Sequence, residues 1–122
     1  MSGPSVQHHC RLYGIRNCDT MKKAFSWMES HGIDYEFIDY KKTGVVAARL
    51  PDWCRMVGWE SLLNRRGLTW RRLAEAEREA LDEASACALM TRHPTLIRRP
   101  VLEWGETLLM GFDADRYREV LG

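Results

Sequence analysis

"LYGIRNCDTMKKAFSWMESHG", residues 12–32, reads as a β-strand that passes through a short turn into a helix, with Cys18 where they meet. On the strand side "CRLYGI", residues 10–15, is strand-like, and Gly14 begins the turn. From Asp19 the apolar positions Met21, Ala24, Phe25 and Met28 recur three and four residues apart, as on one face of a helix, while Lys22, Lys23 and Glu29 fall elsewhere. Gly32 is a natural helix stop. Next comes "DYEFIDY", residues 34–40, rich in aromatic and β-branched residues and of strand length. A strand, a helix and a second strand in so short a span make a βαβ unit, which predicts parallel strands and a right-handed connection.

Beyond it the pattern changes. Residues 45–93 carry helical periodicity with breaks at Gly58 and Gly67, and they predict three or four short helices, one starting at Pro51. After "HPTLIRRP", the runs "VLEW" and "TLLMGF" flank Gly105-Glu106 and predict two antiparallel strands. "DADRYREVL", residues 113–121, predicts a closing helix capped by Asp113. The order β-α-β, helical insert, β-β-α is the thioredoxin order with an insertion. The expected fold is therefore α/β with a mixed four-stranded sheet. It forms a single domain over 10–122, with a core of 10–44 and 94–122, a helical insert at 45–93, and residues 1–9 as an extension.

Composition narrows the function classes. A chain of 122 residues buries one proper core, and a formal net charge of +1 offers no general pull toward nucleic acid or an anionic membrane. No run approaches the roughly 18 apolar residues of a membrane span. The start, "MSGPSVQHHCRLYG", lacks the charged and apolar regions of a secretory signal, so a cytoplasmic location is expected. Arginine supplies 14 of the 18 basic residues, several in pairs: Arg65-Arg66, Arg71-Arg72 and Arg98-Arg99. Its planar fork suits carboxylates and oxyanions, although exposed helix surface explains most such residues equally well.

Four cysteines, Cys10, Cys18, Cys54 and Cys87, are irregularly spaced, without a C-x-x-C pair or the Cys/His clustering of a zinc site. Four free thiols and no bound metal are expected. Cys54 and Cys87 sit among apolar neighbours in helical patterns and read as structural, as does Cys10.

Cys18 differs because it heads a helix. A helix N-terminus presents unpaired N–H groups and the positive end of the macrodipole, and both favour thiolate, the nucleophilic form. Asn17 or Asp19 could cap the helix, and the Thr20 hydroxyl could donate to sulfur. In a thioredoxin order the loop before the third strand packs against this helix end. Arg99 and Pro100 are then expected beside Cys18, with the guanidinium turned to any anion bound there.

"LYGIRNCDTMKKA", "HGIDYEFIDYKK", "GWESLLNRRGLTWRRL", "HPTLIRRPVLE" and "LLMGF" occur in the order and at the spacing of a known family. From about Arg11 onward the chain resembles the arsenate-reductase-like proteins of the ArsC/Spx group, and within it the short YffB-like branch. The resemblance implies that Cys18 is the catalytic thiol, that Arg99 is the arginine of the family's R-P motif, and that Pro100 is cis. It implies a further active-site arginine at Arg65 or Arg66. Glutaredoxin-coupled arsenate reductases carry a histidine where Gly14 stands and another arginine near Gly111. Spx-type regulators carry a second cysteine where Met21 stands.

A lone reactive thiol needs a second thiol from outside to release whatever it binds, and glutathione is the cytosolic donor that fits. The leading expectation is a glutathione-dependent monothiol reductase without a tightly bound cofactor. In it Cys18 attacks a disulfide or oxyanion, Arg65, Arg66 and Arg99 bind glutathione carboxylates, and Asn17, Thr20 and Pro100 support the site. The alternatives are an arsenate reductase coupled to glutathione and glutaredoxin, and an Spx-like regulator that binds RNA polymerase.

Overall fold

The structure is a computed structural model that describes residues 9–42 and 44–122. Residues 1–8 of the expected N-terminal extension lie outside the described residues. The last residue of that extension, His9, meets Glu36 Oε1 at 2.7 Å. In chain order the elements are β1 (Cys10–Gly14), α1 (Asp19–Ser30), β2 (Glu36–Asp39), α2 (Val45–Val57), α3 (Trp59–Leu62), α4 (Leu68–Arg72), α5 (Glu75–Arg78) and α6 (Glu83–Arg92). A 3₁₀ turn at Pro94–Leu96 leads on to β3 (Val101–Trp104), β4 (Thr107–Met110) and α7 (Ala114–Leu121). They form two compact units, one of residues up to Ile38 together with Arg99–Gly122, the other of Asp39–Arg98.

The first unit is the thioredoxin-like frame. Its mixed four-stranded sheet has the order β2-β1-β3-β4. β1 and β3 run antiparallel with Leu12 opposite Leu102, and β3 pairs antiparallel with β4, Leu102 opposite Leu109. Helix α1 stops as its sequence directs. The N–H of Gly32, at φ +63°, donates to Glu29 O and that of Ile33 to Met28 O, the paired bonds of a Schellman ending. The face that α1 buries is Met21, Ala24, Trp27 and Met28, packed with Leu12, Leu102, Leu109 and Tyr117. Trp27 was not among the expected core positions. It belongs there because it meets Tyr117 edge-on at 5.5 Å, while Phe25, which was expected, is only half-buried beside Tyr35 and Phe37. Asp113 caps α7 by accepting from the N–H groups of Asp115 and Arg116.

Among its described residues the second unit holds five α-helices rather than three or four. Helices α3 and α5 are single turns of four residues, too short to show a repeating apolar face. Pro51 does not start a helix. It lies inside α2, where its ring removes the bond an N–H would make to Ala47 O. The helix runs through because Val46 and Leu50 before the proline, and Trp53 and Cys54 after it, share one buried face. The segment after α3 is tied to the segment that follows the 3₁₀ turn. Leu63 bridges Ile97, Asn64 N–H donates to Leu96 O at 2.7 Å, and Arg98 N–H donates to Leu62 O at 2.8 Å.

Candidate active site

Cys18 is placed by the turn that β1 and α1 share. Its N–H donates to Arg16 O at 3.0 Å, its backbone is extended at φ −149° and ψ 130°, and its carbonyl accepts the N–H of Lys22 at 2.9 Å. It is therefore itself the N-cap of α1, the position that serine, threonine and aspartate favour because a side-chain oxygen there meets the N–H groups of the second and third helical residues. Neither Asn17 nor Asp19 occupies that position, which corrects the expected cap. The side chain of Cys18 is half-buried against the frame's apolar core.

Partial burial raises the pKa of Cys18. The Met21 N–H, the Arg99 guanidinium as a hydrogen-bond donor, the Thr20 N–H and the Arg99 charge lower it, and the net shift is below the ordinary thiol value of 9.0. Met21 and Thr20 are the third and second residues of α1, so their N–H dipoles favour the thiolate at the helix head, while the Cys18 side chain itself makes no capping hydrogen bond. Thr20 acts through its backbone rather than through the expected hydroxyl. The Met21 N–H escaped the sequence reading because a backbone donor has no side-chain signature. Only the N-cap position of Cys18 reveals it.

Arg99 and Cys18 are thus brought together as expected, and the Arg99–Pro100 bond is cis. Gly14 shows why space around the thiol is tight. A Cβ on Gly14 would lie 2.4 Å from Met21 Sδ and 3.5 Å from Arg99 Cβ. Gly14 and Met21, where the resembled proteins are expected to carry a histidine and a second cysteine, thus pack against each other. Gly111, where a further arginine is expected of the resembled reductases, sits at φ +77°, a left-handed conformation that an arginine would adopt only with strain.

Arg65 and Arg66 belong to the loop between α3 and α4, and both are exposed. Their surroundings differ. The guanidinium of Arg65 lies 6.0 Å from the ring centroid of Trp59 and 5.7 Å from that of Trp70, whereas the backbone N–H of Arg66 donates to Asn64 Oδ1 in a tight turn. The tryptophans hold the Arg65 guanidinium, a difference the "LLNRRG" string does not display. Arg16, two residues before the thiol, is a cation that sequence reasoning passed over. Its guanidinium lies 4.6 Å from the Phe37 ring.

A thiol capping the first helix of a thioredoxin-like sheet, with an arginine against its sulfur, defines a thiol protein of that fold. The chain belongs to the ArsC family, whose model matches residues 13–120. A solved structure of a protein named YffB is 48% identical, with a TM-score of 0.88 over 93% of this chain and 99% of that one. An arsenate reductase (ArsC) related protein from Brucella melitensis is also 48% identical, with a TM-score of 0.75 over 97% of this chain and 98% of its own. An uncharacterized protein of Haemophilus influenzae is 37% identical over 88% of this chain and 94% of its own length. The global transcriptional regulator Spx of Listeria innocua is 25% identical over 90% of this chain and 85% of its own. Among the described residues no helix is long and apolar enough to cross a membrane.

Proposed function

We propose that the protein is a glutathione-dependent monothiol reductase. The observation that carries this reading is Cys18 at the N-cap of α1, its pKa lowered by the Met21 and Thr20 N–H groups and by Arg99. Thiolate Cys18 attacks a disulfide that holds a glutathionyl group. A Cys18–glutathione disulfide forms, and the other sulfur leaves as a thiolate. A second glutathione thiolate then attacks the glutathionyl sulfur, releasing oxidised glutathione and restoring Cys18. The stretch Cys18 to Met21 offers no second thiol, so the resolving sulfur comes from solution. Arg99 binds a glutathione carboxylate. By the family resemblance Arg65 or Arg66 binds the other, and the tryptophan-held Arg65 is the better preorganised of the two.

Likeness to an arsenate reductase related protein favours a second reading, reduction of arsenate on the same thiol. An arsenate ester on sulfur concentrates negative charge, and loss of one donor aimed at such an oxyanion typically costs about 10²–10³ in rate. The left-handed glycine at 111, where related reductases place an arginine, ranks this reading second.

Incubation with oxidised glutathione followed by intact-mass measurement and site mapping tests the proposal. One glutathionyl group on Cys18, released by reduced glutathione and missing in Cys18→Ser, is expected. In the same assay Arg65→Ala is expected to slow adduct formation more than Arg66→Ala. An unmodified Cys18 overturns the reading, and rapid arsenate turnover that vanishes in Cys18→Ser puts the second reading first.

A further inference from the structure

Within the helical unit two cysteines that stand 33 residues apart in sequence meet. Cys54 on α2 and Cys87 on α6 have their sulfur atoms 3.0 Å apart, and both are free thiols. They line one side of a groove of about 510 Å³, with Leu50, Pro51, Arg55 and Thr91 among the other walls. Cys54 is 7% exposed, while Cys87 is half-buried. The arrangement is that of a dithiol with an accessible member in front and a covered one behind.

Contact of this kind is more than the burial of two small apolar residues would require. Two sulfurs held by separate helices at this distance are already in contact, and reactions between groups so fixed outrun the same reactions between free partners. The groove gives a small reagent a path to Cys87. Cys54 needs no such path, since its partner in exchange is Cys87 itself.

We propose that Cys54 and Cys87 form a second thiol site, a dithiol that a small organic disulfide oxidises to an intramolecular disulfide joining α2 to α6. The Cys87 thiolate attacks one sulfur of the reagent R–S–S–R. A Cys87–S–S–R bond forms, and RS⁻ leaves and takes up a proton. Cys54 then gives up its proton and attacks Cys87 Sγ, and the second RS⁻ leaves and is protonated. Two protein thiols lose two electrons and two protons, and the reagent is reduced to two thiols. Burial, the neighbouring Cys87 thiol and Glu83 hold the Cys54 pKa at about 12. The second step is therefore the slow one, and it is eased once Cys87 no longer bears a thiol proton or charge.

The test uses the full chain carrying Cys18→Ser, so that no product at the first thiol is counted. After exposure to 2-hydroxyethyl disulfide, denaturation and alkylation, the unreduced peptides are mapped. A cross-link between the peptides of Cys54 and Cys87 in a monomeric protein is expected. The four cysteines of the chain less the substituted one leave three thiols. One disulfide consumes two of them, so the count falls to one and dithiothreitol restores it. Adding Cys87→Ser leaves two thiols, and that count is expected not to change. Oxidised protein is also expected to melt at a higher temperature, because the link constrains the unfolded chain. Full alkylation of both cysteines after exposure overturns the proposal, as does arrest at a Cys87 mixed disulfide with Cys54 still free. Mapping the wild-type chain for the same cross-link keeps the test decisive if either substitution impairs folding.

Discussion

Cys18 and Cys54 are the same functional group in opposite electrostatic settings. Cys18 stands at the N-cap of α1, where the N–H groups of the first turn and the Arg99 guanidinium favour its thiolate. Cys54 lies near the C-terminal end of α2, where its sulfur meets another thiol and feels the Glu83 carboxylate. Both are taken partly out of water, which disfavours charge in each case. Only Cys18 has donors that outweigh that cost. The contrast ties the ease of ionising each thiol to the groups that meet its sulfur rather than to burial alone.

Alkylation rates should show the largest consequence. The Cys18 pKa is lowered, whereas burial, the neighbouring thiol and Glu83 push that of Cys54 up to about 12. Cys18 therefore holds by far the larger thiolate fraction at neutral pH. Intrinsic nucleophilicity falls with pKa at a Brønsted slope of about 0.4–0.5, which returns only part of that advantage, so Cys18 is expected to react more than about tenfold faster. Iodoacetamide at pH 7 with peptide mapping measures the ratio. Access widens it further, since Cys54 is covered. Cys10, pushed up to about 11 by burial, is expected to react slowly as well. Equal rates at Cys18 and Cys54 would remove the basis of the comparison.

Arg99 is the sharper probe of the Cys18 side. Its guanidinium acts on the sulfur both as a donor and as a charge, so Arg99→Ala should raise the Cys18 pKa toward the ordinary value. The alkylation rate against pH is expected to keep its shape and move to higher pH. Glutathione affinity is expected to fall about tenfold, the loss of one charge-assisted hydrogen bond of about 1.5 kcal/mol. Circular dichroism separates this from unfolding, and the far-ultraviolet spectrum is expected to stay unchanged. An unmoved pH profile would assign the lowered pKa to the helix end alone.

How legible these two regions were differs for a physical reason. The frame announced itself because its elements carry local signals. These are the aromatic and β-branched content of its strands, the three-and-four spacing of α1, the Gly32 stop and the Asp113 cap. The position of Cys18 at the helix head followed from the same signals. The identity of the cap did not, because sulfur and the Met21 N–H are not what cap patterns look for. The insert was legible only as helical. Its one-turn helices fall below the length at which periodicity shows, and Pro51 was misplaced because burial on both sides of it overrode its local preference. The contact of Cys54 with Cys87 is a tertiary fact with no trace in spacing. The cis Arg99–Pro100 bond and the roles of Arg65 and Arg66 came from family resemblance rather than from residue patterns.

The smallest expected effect asks why the region around Cys18 holds a single thiol while the insert holds a pair. Met21 is fully buried, and its thioether lies where a side chain on Gly14 would begin, 2.4 Å from the place of a Cβ. Gly14→Ala must therefore displace the flexible end of Met21 within a filled core, and overpacking of this kind typically costs up to about 1–3 kcal/mol. Met21→Ala opens a cavity instead, at about 2–5 kcal/mol. In the double variant the new methyl occupies part of the vacated space. The two costs then no longer add, and the combined loss is expected to be at least about 1 kcal/mol smaller than their sum. Urea denaturation of the four proteins of this cycle measures the coupling. A coupling near zero would mean that Gly14 and Met21 are independent features, and that the missing second cysteine and the missing histidine have separate causes. A clear coupling makes them one choice of packing, in which the methionine that fills the floor beneath Cys18 also occupies the position where a resolving thiol would stand.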